Sequence, residues 1–276
     1  MNVEYHHAWS AHLNQDMEMK VYGHAGKPVV VFPAQGGRFY DFENFGMIAA
    51  ASRFIEQGFF RFYTVDSVDN QAWANWHSHP AERGRRHEAY DRYITQEAAA
   101  FIHQHSQSES LFLATGVSMG GYHAANFFFR HPDIFDSVIS LSGILQLKMF
   151  TGDYVDDCVY FNSPLLYLSN LEDAWYLEKY RRSQIIICAG QGAWEETMNA
   201  DMRALKGILE ARQVPAWIDL WGQDVNHDWP WWQKQLPYFL STLLELPKGA
   251  SSALLVAEAP DTNRKENRGE AQQDAH

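Results

Sequence analysis

Cysteine is nearly missing from this chain: Cys158 and Cys188 are the only two in 276 residues. That excludes a scaffold stapled by several disulfides. Cys188 ends the apolar run Ile185–Cys188 and reads as a buried thiol. Positive charge is scarce too. Lys and Arg number 22 against 34 Asp and Glu, a formal net charge of -12. Such a surface repels phosphate backbones and anionic headgroups, which argues against nucleic-acid and membrane partners. Arg83, Arg85 and Arg86 make only a short basic patch. No apolar stretch approaches the roughly 20 residues of a membrane-spanning helix. Met1–Glu4 has no basic segment leading into an apolar run, as a secretory leader would. A cytoplasmic protein with reduced thiols is expected. Close histidine pairs are few: His6-His7, His77-x-His79 and His103-x-His105. On a helix His103 and His105 would not share a face. No metal and no cofactor are expected.

What the chain has is apolar and aromatic: 46% hydrophobic residues, 14% aromatic, ten of them tryptophan. Its length suits one large domain. Short apolar runs alternate with helical patterns. Pro28–Phe32, Phe60–Val65, Leu111–Val117, Ser137–Leu141, Gln184–Ala189 and Ala216–Trp221 read as strands covered on both faces. Gly46–Gln57, Glu88–His105, Met119–Arg130, Glu195–Arg212 and Trp231–Leu246 read as helices. Pro132 stops the third of these, because proline disfavours helix in the residue before it. The alternation predicts an α/β fold with a mainly parallel central sheet and helices on both faces. Val3–Leu13 and Met17–Tyr22 suggest an antiparallel hairpin at one edge. The domain is expected to span residues 1–247. Residues 248–276 hold few large apolar groups and read as a disordered tail.

The decisive segment is Gly116-Val117-Ser118-Met119-Gly120, a G-x-S-x-G motif between a strand-like run and a helix-forming run. A serine on a sharp strand-to-helix turn is strained, with its Oγ pushed out at the end of the sheet. The neighbours two residues away must be small, as Gly116 and Gly120 are. The Met119 N–H then points from a helix N-terminus toward a developing oxyanion. Ser118 is the candidate nucleophile.

On this kind of site the chain order is nucleophile, acid, histidine. His227 follows the last strand in the loop Gly222–His227, just before Asp228, a candidate N-cap, and Pro230 in the next helix. It is the candidate base. The glycine loop Pro33–Arg38 follows the first parallel strand, and an N–H near Gln35 or Gly36 is the candidate second oxyanion donor. The acid is expected after Gln184–Ala189, where Gly190-Gln-Gly-Ala-Trp194 holds no carboxylate. Glu195 is the nearest and the first choice. Glu196 and Asp224 are the alternatives.

Gly116–Tyr122 (GVSMGGY), Val29–Gly37 (VVVFPAQGG) and His227-Asp-Trp-Pro-Trp-Trp232 together resemble the esterase branch of the α/β-hydrolase superfamily, with esterase D and enterochelin-esterase-like proteins. The resemblance covers most of Val29–Leu246. It implies an α/β-hydrolase fold and carboxylic ester hydrolysis without metal or organic cofactor. Ser118 and His227 would act as nucleophile and base on a small-molecule or acylated substrate. The chain departs from the family at Gly190–Ala193, where a Gly-Thr-x-Asp-like stretch is usual. Two other readings stay open: acyl transfer to an acceptor other than water, and an inactive binding protein on the same fold. Trp73, Trp76, Trp194, Trp229, Trp231 and Trp232 are candidates for a groove wall, with about half of them expected in the core.

Overall fold

A computed structural model describes residues 1–245. The tail expected at 248–276 lies outside these residues. Eight strands form one sheet in the order β1-β2-β4-β3-β5-β6-β7-β8. They are β1 (Val3–Ser10), β2 (Gln15–Tyr22), β3 (Lys27–Phe32), β4 (Phe60–Val65), β5 (Phe112–Val117), β6 (Phe135–Leu141), β7 (Gln184–Ala189) and β8 (Trp217–Leu220). The hairpin β1–β2 is antiparallel and sits at the edge, and β2 pairs antiparallel with β4. From β4 to β8 every pairing is parallel. All six strands of the sequence reading and the edge hairpin are present, with ends shifted by at most two residues apart from the first hairpin arm, which stops at Ser10.

Period-two alternation explains the burial. Val30 and Phe32 of β3 face one apolar cluster, whereas Val29 and Val31 face another. Ile185 and Ile187 of β7 divide from Ile186 and Cys188 in the same way. A strand apolar on both faces needs helices on both. α1 (Met47–Glu56) covers one face together with α6 (Trp229–Glu245). The other face carries α2 (Pro80–Arg92), α3 (Ala99–Ser106), α4 (Met119–Arg130) and α5 (Glu196–Ala211).

Two sequence expectations need correction. The helix expected at Glu88–His105 begins at Pro80, where His79 caps the Ala81 N–H through its side chain and the proline occupies the first helical position. It runs to Ser106 through a π-helical stretch at Tyr93–Ala98, so Arg83 and Arg86 are helical residues. Arg83 is buried and donates to the Trp73 and Phe150 carbonyls, and Arg86 reaches the Leu13 carbonyl. Most of that basic patch is thus structural. Between β6 and β7 the sequence reading assigned nothing, but four short helices lie there, from Lys148 to Arg181. They are too short to show a clear 3.6-residue period. α4 ends at Arg130, as Pro132 requires.

Candidate active site

Ser118, Glu195 and His227 follow β5, β7 and β8, so all three stand at the carboxyl ends of parallel strands. Open α/β sheets place their ligands there. Ser118 has φ 56° and ψ -122°, a conformation an L-residue holds only under constraint. Its N–H donates to the Leu141 carbonyl at 2.9 Å, and its carbonyl accepts from the Tyr122 N–H at 3.1 Å. The crowding predicted for the flanking glycines is present. A Cβ on Gly116 would lie 2.4 Å from the Gly120 carbonyl carbon, and one on Gly120 would lie 2.2 Å from the Phe32 carbonyl oxygen. Met119 starts α4, so its amide is among those without a partner inside the helix.

His227 Nε2 is 2.9 Å from Ser118 Oγ. His227 is held by its backbone and by a neighbouring ring. Its backbone N–H donates to the Ala193 carbonyl at 3.0 Å. Trp232 stands edge-on to it with ring centroids 4.9 Å apart. Asp228 precedes α6; its backbone carbonyl accepts from the Trp231 N–H at 3.1 Å, but its carboxylate accepts from the Trp229 N–H at 2.8 Å and not from the later amides that an N-cap side chain engages.

Glu195 lies behind the histidine, fully buried, with Oε1 3.4 Å from His227 Nδ1. That is an ion-pair distance. It is too long for a formed hydrogen bond, and His227 Nδ1 and Glu195 Oε2 have no hydrogen-bond partner. Catalytic hydrogen bonds in ligand-free enzymes are often this long and tighten when substrate binds. The other two acid candidates are elsewhere. Glu196 is exposed in the first turn of α5, where it complements the helix dipole. Asp224 is exposed beside Gly222.

The loop before Glu195 shows why no carboxylate stands in the first positions after β7. Gly190 and Gly192 pack directly on the histidine loop. A Cβ on Gly190 would lie 1.9 Å from the Val225 carbonyl oxygen, and one on Gly192 would lie 2.2 Å from Asn226 Oδ1. The Gly192 N–H donates to the Val225 carbonyl, and the Ala193 N–H to Asn226 Oδ1, both at 2.8 Å. The first positions after β7 are therefore spent on joining the two loops. Trp194 then takes a φ of 70° with its ring in solvent, and this reversal turns Glu195 inward. Glu195 is the residue before α5, yet its carboxylate caps no backbone N–H.

Ser142 has no sequence signal, and Trp232, offered as groove wall and as the end of the His227–Trp232 motif, takes a different place. Ser142 Oγ donates to Glu195 Oε1 at 2.5 Å, and Trp232 Nε1 donates to Ser142 Oγ at 2.9 Å. Both support the carboxylate from beneath. Ser142 also has a positive φ, 52°, at the end of β6. Nothing in the Ser140-Leu-Ser-Gly143 string marks it. Of the six tryptophans offered as groove wall, Trp73 and Trp232 are buried, whereas Trp76 and Trp194 are exposed. Trp229 is partly buried and stacks on Phe45 at 4.3 Å, beside the histidine loop.

The second oxyanion candidates lie on a tight turn. The Gly37 N–H donates to the Ala34 carbonyl at 2.8 Å, with Gln35 and Gly36 at the corner and Gly36 at φ 65°. This is the φ > 0 that a type II turn asks of glycine at that position.

A family model described as "Putative esterase" matches residues 10–243. The chain belongs to this family and is a carboxylic ester hydrolase on the α/β-hydrolase fold. Solved structures with this fold include a ferulic acid esterase, at 16% identity and a TM-score of 0.69, covering 88% of this chain and 98% of that one. An S-formylglutathione hydrolase from Agrobacterium tumefaciens matches at 16% identity and a TM-score of 0.66, covering 88% and 94%. MPT51 from Mycobacterium tuberculosis matches at 14% identity and a TM-score of 0.67, covering 89% and 98%. No curated protein matches the chain by sequence.

Proposed function

We propose that this esterase works through an acyl-enzyme on Ser118, with His227 as general base and Glu195 as the acid of the triad. The observation that carries the reading is the 2.9 Å contact between Ser118 Oγ and His227 Nε2, with a fully buried carboxylate on the far side of the ring. Neutral His227 takes the Ser118 proton as Oγ attacks the ester carbonyl. The negative charge of the tetrahedral intermediate faces the Met119 N–H and an N–H of the Gln35–Gly36 turn. Protonated His227 then gives its proton to the leaving alcohol. Water, deprotonated by the same ring, attacks the acyl-serine, and the acid leaves as Ser118 regains its proton. Glu195 holds the imidazole in the tautomer with Nδ1 protonated and stabilises its cation.

Ser118 and His227 are only partly buried, so water has access to the acyl carbonyl, and this favours hydrolysis over transfer to another acceptor. The substrate in this reading is a small carboxylic ester or an acylated small molecule. The neighbouring structures are named for a feruloyl ester and an S-formyl thioester, and these are the acyl types to try first. The chemistry calls on no metal, organic cofactor or nucleic acid. No helix among the described residues is long and apolar enough to cross a membrane. Cys158 and Cys188 are both free thiols, which supports a place in the reducing cytoplasm.

The test is covalent labelling of the full chain with a fluorophosphonate, read by intact mass and peptide mapping. One label on Ser118 in the wild type, and none in Ser118→Ala, is the expected result. A wild type that resists the probe, or a label on another residue, overturns the assignment.

A further inference from the structure

Three donor side chains meet at the β1 edge of the sheet, away from the hydrolytic site. Glu4 and His6 are two residues apart on β1, so strand periodicity turns both to one face. The last turn of α3 lies over that face and brings His105 to them. His105 Nε2 is 3.0 Å from Glu4 Oε2, and His6 Nε2 is 3.4 Å from the same oxygen. The three donor atoms all lie within 4.8 Å of one another. Ligands about 2.0–2.2 Å from a tetrahedral ion stand roughly 3.3–3.5 Å apart, so little movement is needed to close around one.

The surroundings hold these donors in place. Tyr63 Oη is 3.1 Å from His105 Nδ1. Without an ion, His105 Nε2–H donates to Glu4 Oε2 at 3.0 Å; on binding one, that proton leaves and Nδ1–H donates to the phenol oxygen, which turns the Nε2 lone pair to the ion. Arg61 Nη2, at 3.2 Å, and Asn2 Nδ2, at 2.9 Å, both donate to Glu4 Oε1, which leaves Oε2 for the imidazoles. Phe101 packs on both rings, with centroids 4.9 Å from His6 and 5.2 Å from His105. His6 Nε2 is buried and has no hydrogen-bond partner, an orphaned atom that an ion would satisfy. Arg61 Nη2 also lies 3.4 Å from His105 Nε2, a positive charge that the site must accommodate.

We propose that Glu4, His6 and His105 bind one zinc ion that ties the β1–β2 hairpin to α3. Two imidazoles and a carboxylate form a donor set that zinc uses, with a fourth position left for water. The three side chains are partly exposed, so the ion has a route in. β1 is four strands from β5 in the sheet, roughly 19 Å at about 4.8 Å per strand, so the site serves stability and not ester cleavage. This inference does not rest on the hydrolytic mechanism.

The full chain, stripped with EDTA and dialysed, is titrated with Zn²⁺ by calorimetry and with Co²⁺ by visible absorption. Expected are one equivalent of each, the intense visible bands of tetrahedral cobalt, and a melting temperature that rises with zinc. Glu4→Gln, His6→Gln and His105→Gln should each weaken binding at least about tenfold. Far-UV circular dichroism and unchanged hydrolysis of p-nitrophenyl acetate check that each variant is folded. No saturable binding by the wild type overturns the proposal. So does binding of equal strength in the three variants, which would assign the ion to other histidines.

Discussion

Ser118 and Glu195 arrive at the same site by different routes. Ser118 is fixed by its own neighbourhood: two glycines within two residues of it, a strand before it and a helix after it. Glu195 is fixed by a loop some thirty residues further along, because Gly190, Gly192 and Ala193 are docked on Val225 and Asn226. A local constraint leaves a motif in the sequence. A constraint between distant loops leaves only a run of small residues whose purpose appears once the second loop is in place. The position of this buried carboxylate along the chain therefore follows from the loop that must reach it.

Breaking the local side should have the largest effect. Ser118→Ala and His227→Ala are each expected to lower kcat on p-nitrophenyl acetate by roughly 10⁶-fold, as in a related triad. The distant side comes next. Glu195→Gln should cost roughly 3 × 10⁴ in kcat, whereas Glu196→Gln and Asp224→Asn stay near wild type. If Asp224→Asn were the slow variant, the acid would belong to the histidine loop itself.

The loop-to-loop contact can be tested without touching any of the three groups. In Gly192→Ala the new Cβ meets Asn226 Oδ1, so one loop must shift. A displacement of about 1 Å at His227 is expected to cost roughly 10²-fold in kcat, with the fold retained by circular dichroism. Native kcat in this variant would show that the two loops are not held in register by these glycines. Ser142→Ala removes one donor from an already buried carboxylate. A loss of stability of about 1–3 kcal/mol is expected, measured by urea unfolding, together with a smaller fall in kcat. The smallest effect belongs to metal removal: EDTA should leave kcat unchanged, since the Glu4–His6–His105 cluster lies across the sheet from Ser118. Loss of turnover with EDTA, restored by zinc, would contradict the metal-free mechanism.

The same contrast explains what could be read from the sequence. The strands of the parallel sheet were legible because runs such as Val29–Phe32 and Ile185–Cys188 are short and β-branched, too short for a helix, although a run apolar on both faces carries no period of its own. The Ser118–His227 contact could be expected from the sequence because each residue stands next to a helix start. Glu195 could be chosen over Glu196 and Asp224 only by its nearness to β7. Its burial depends on the positive φ of Trp194, and no sequence rule assigns that to a tryptophan. Ser142 stayed hidden because its hydrogen bond crosses from β6 to Glu195, and Trp232, legible as part of the His227–Trp232 motif, gave no sign that its indole reaches Ser142. The edge cluster is hidden for a related reason: spacing along the chain shows only local histidine pairs, whereas these donors come from a strand and a helix about a hundred residues apart.

The central claim is that Glu195 acts through His227, and a double-mutant cycle on kcat addresses it most directly. Glu195→Gln, His227→Ala and the double variant are compared with wild type on one activated ester, with folding checked in each. If the carboxylate works by fixing and charging the imidazole, it has nothing to act on once the ring is gone. The double variant should then be no slower than His227→Ala alone. Losses that multiply in the double variant would mean that Glu195 acts independently of His227, and the triad described here would be wrong.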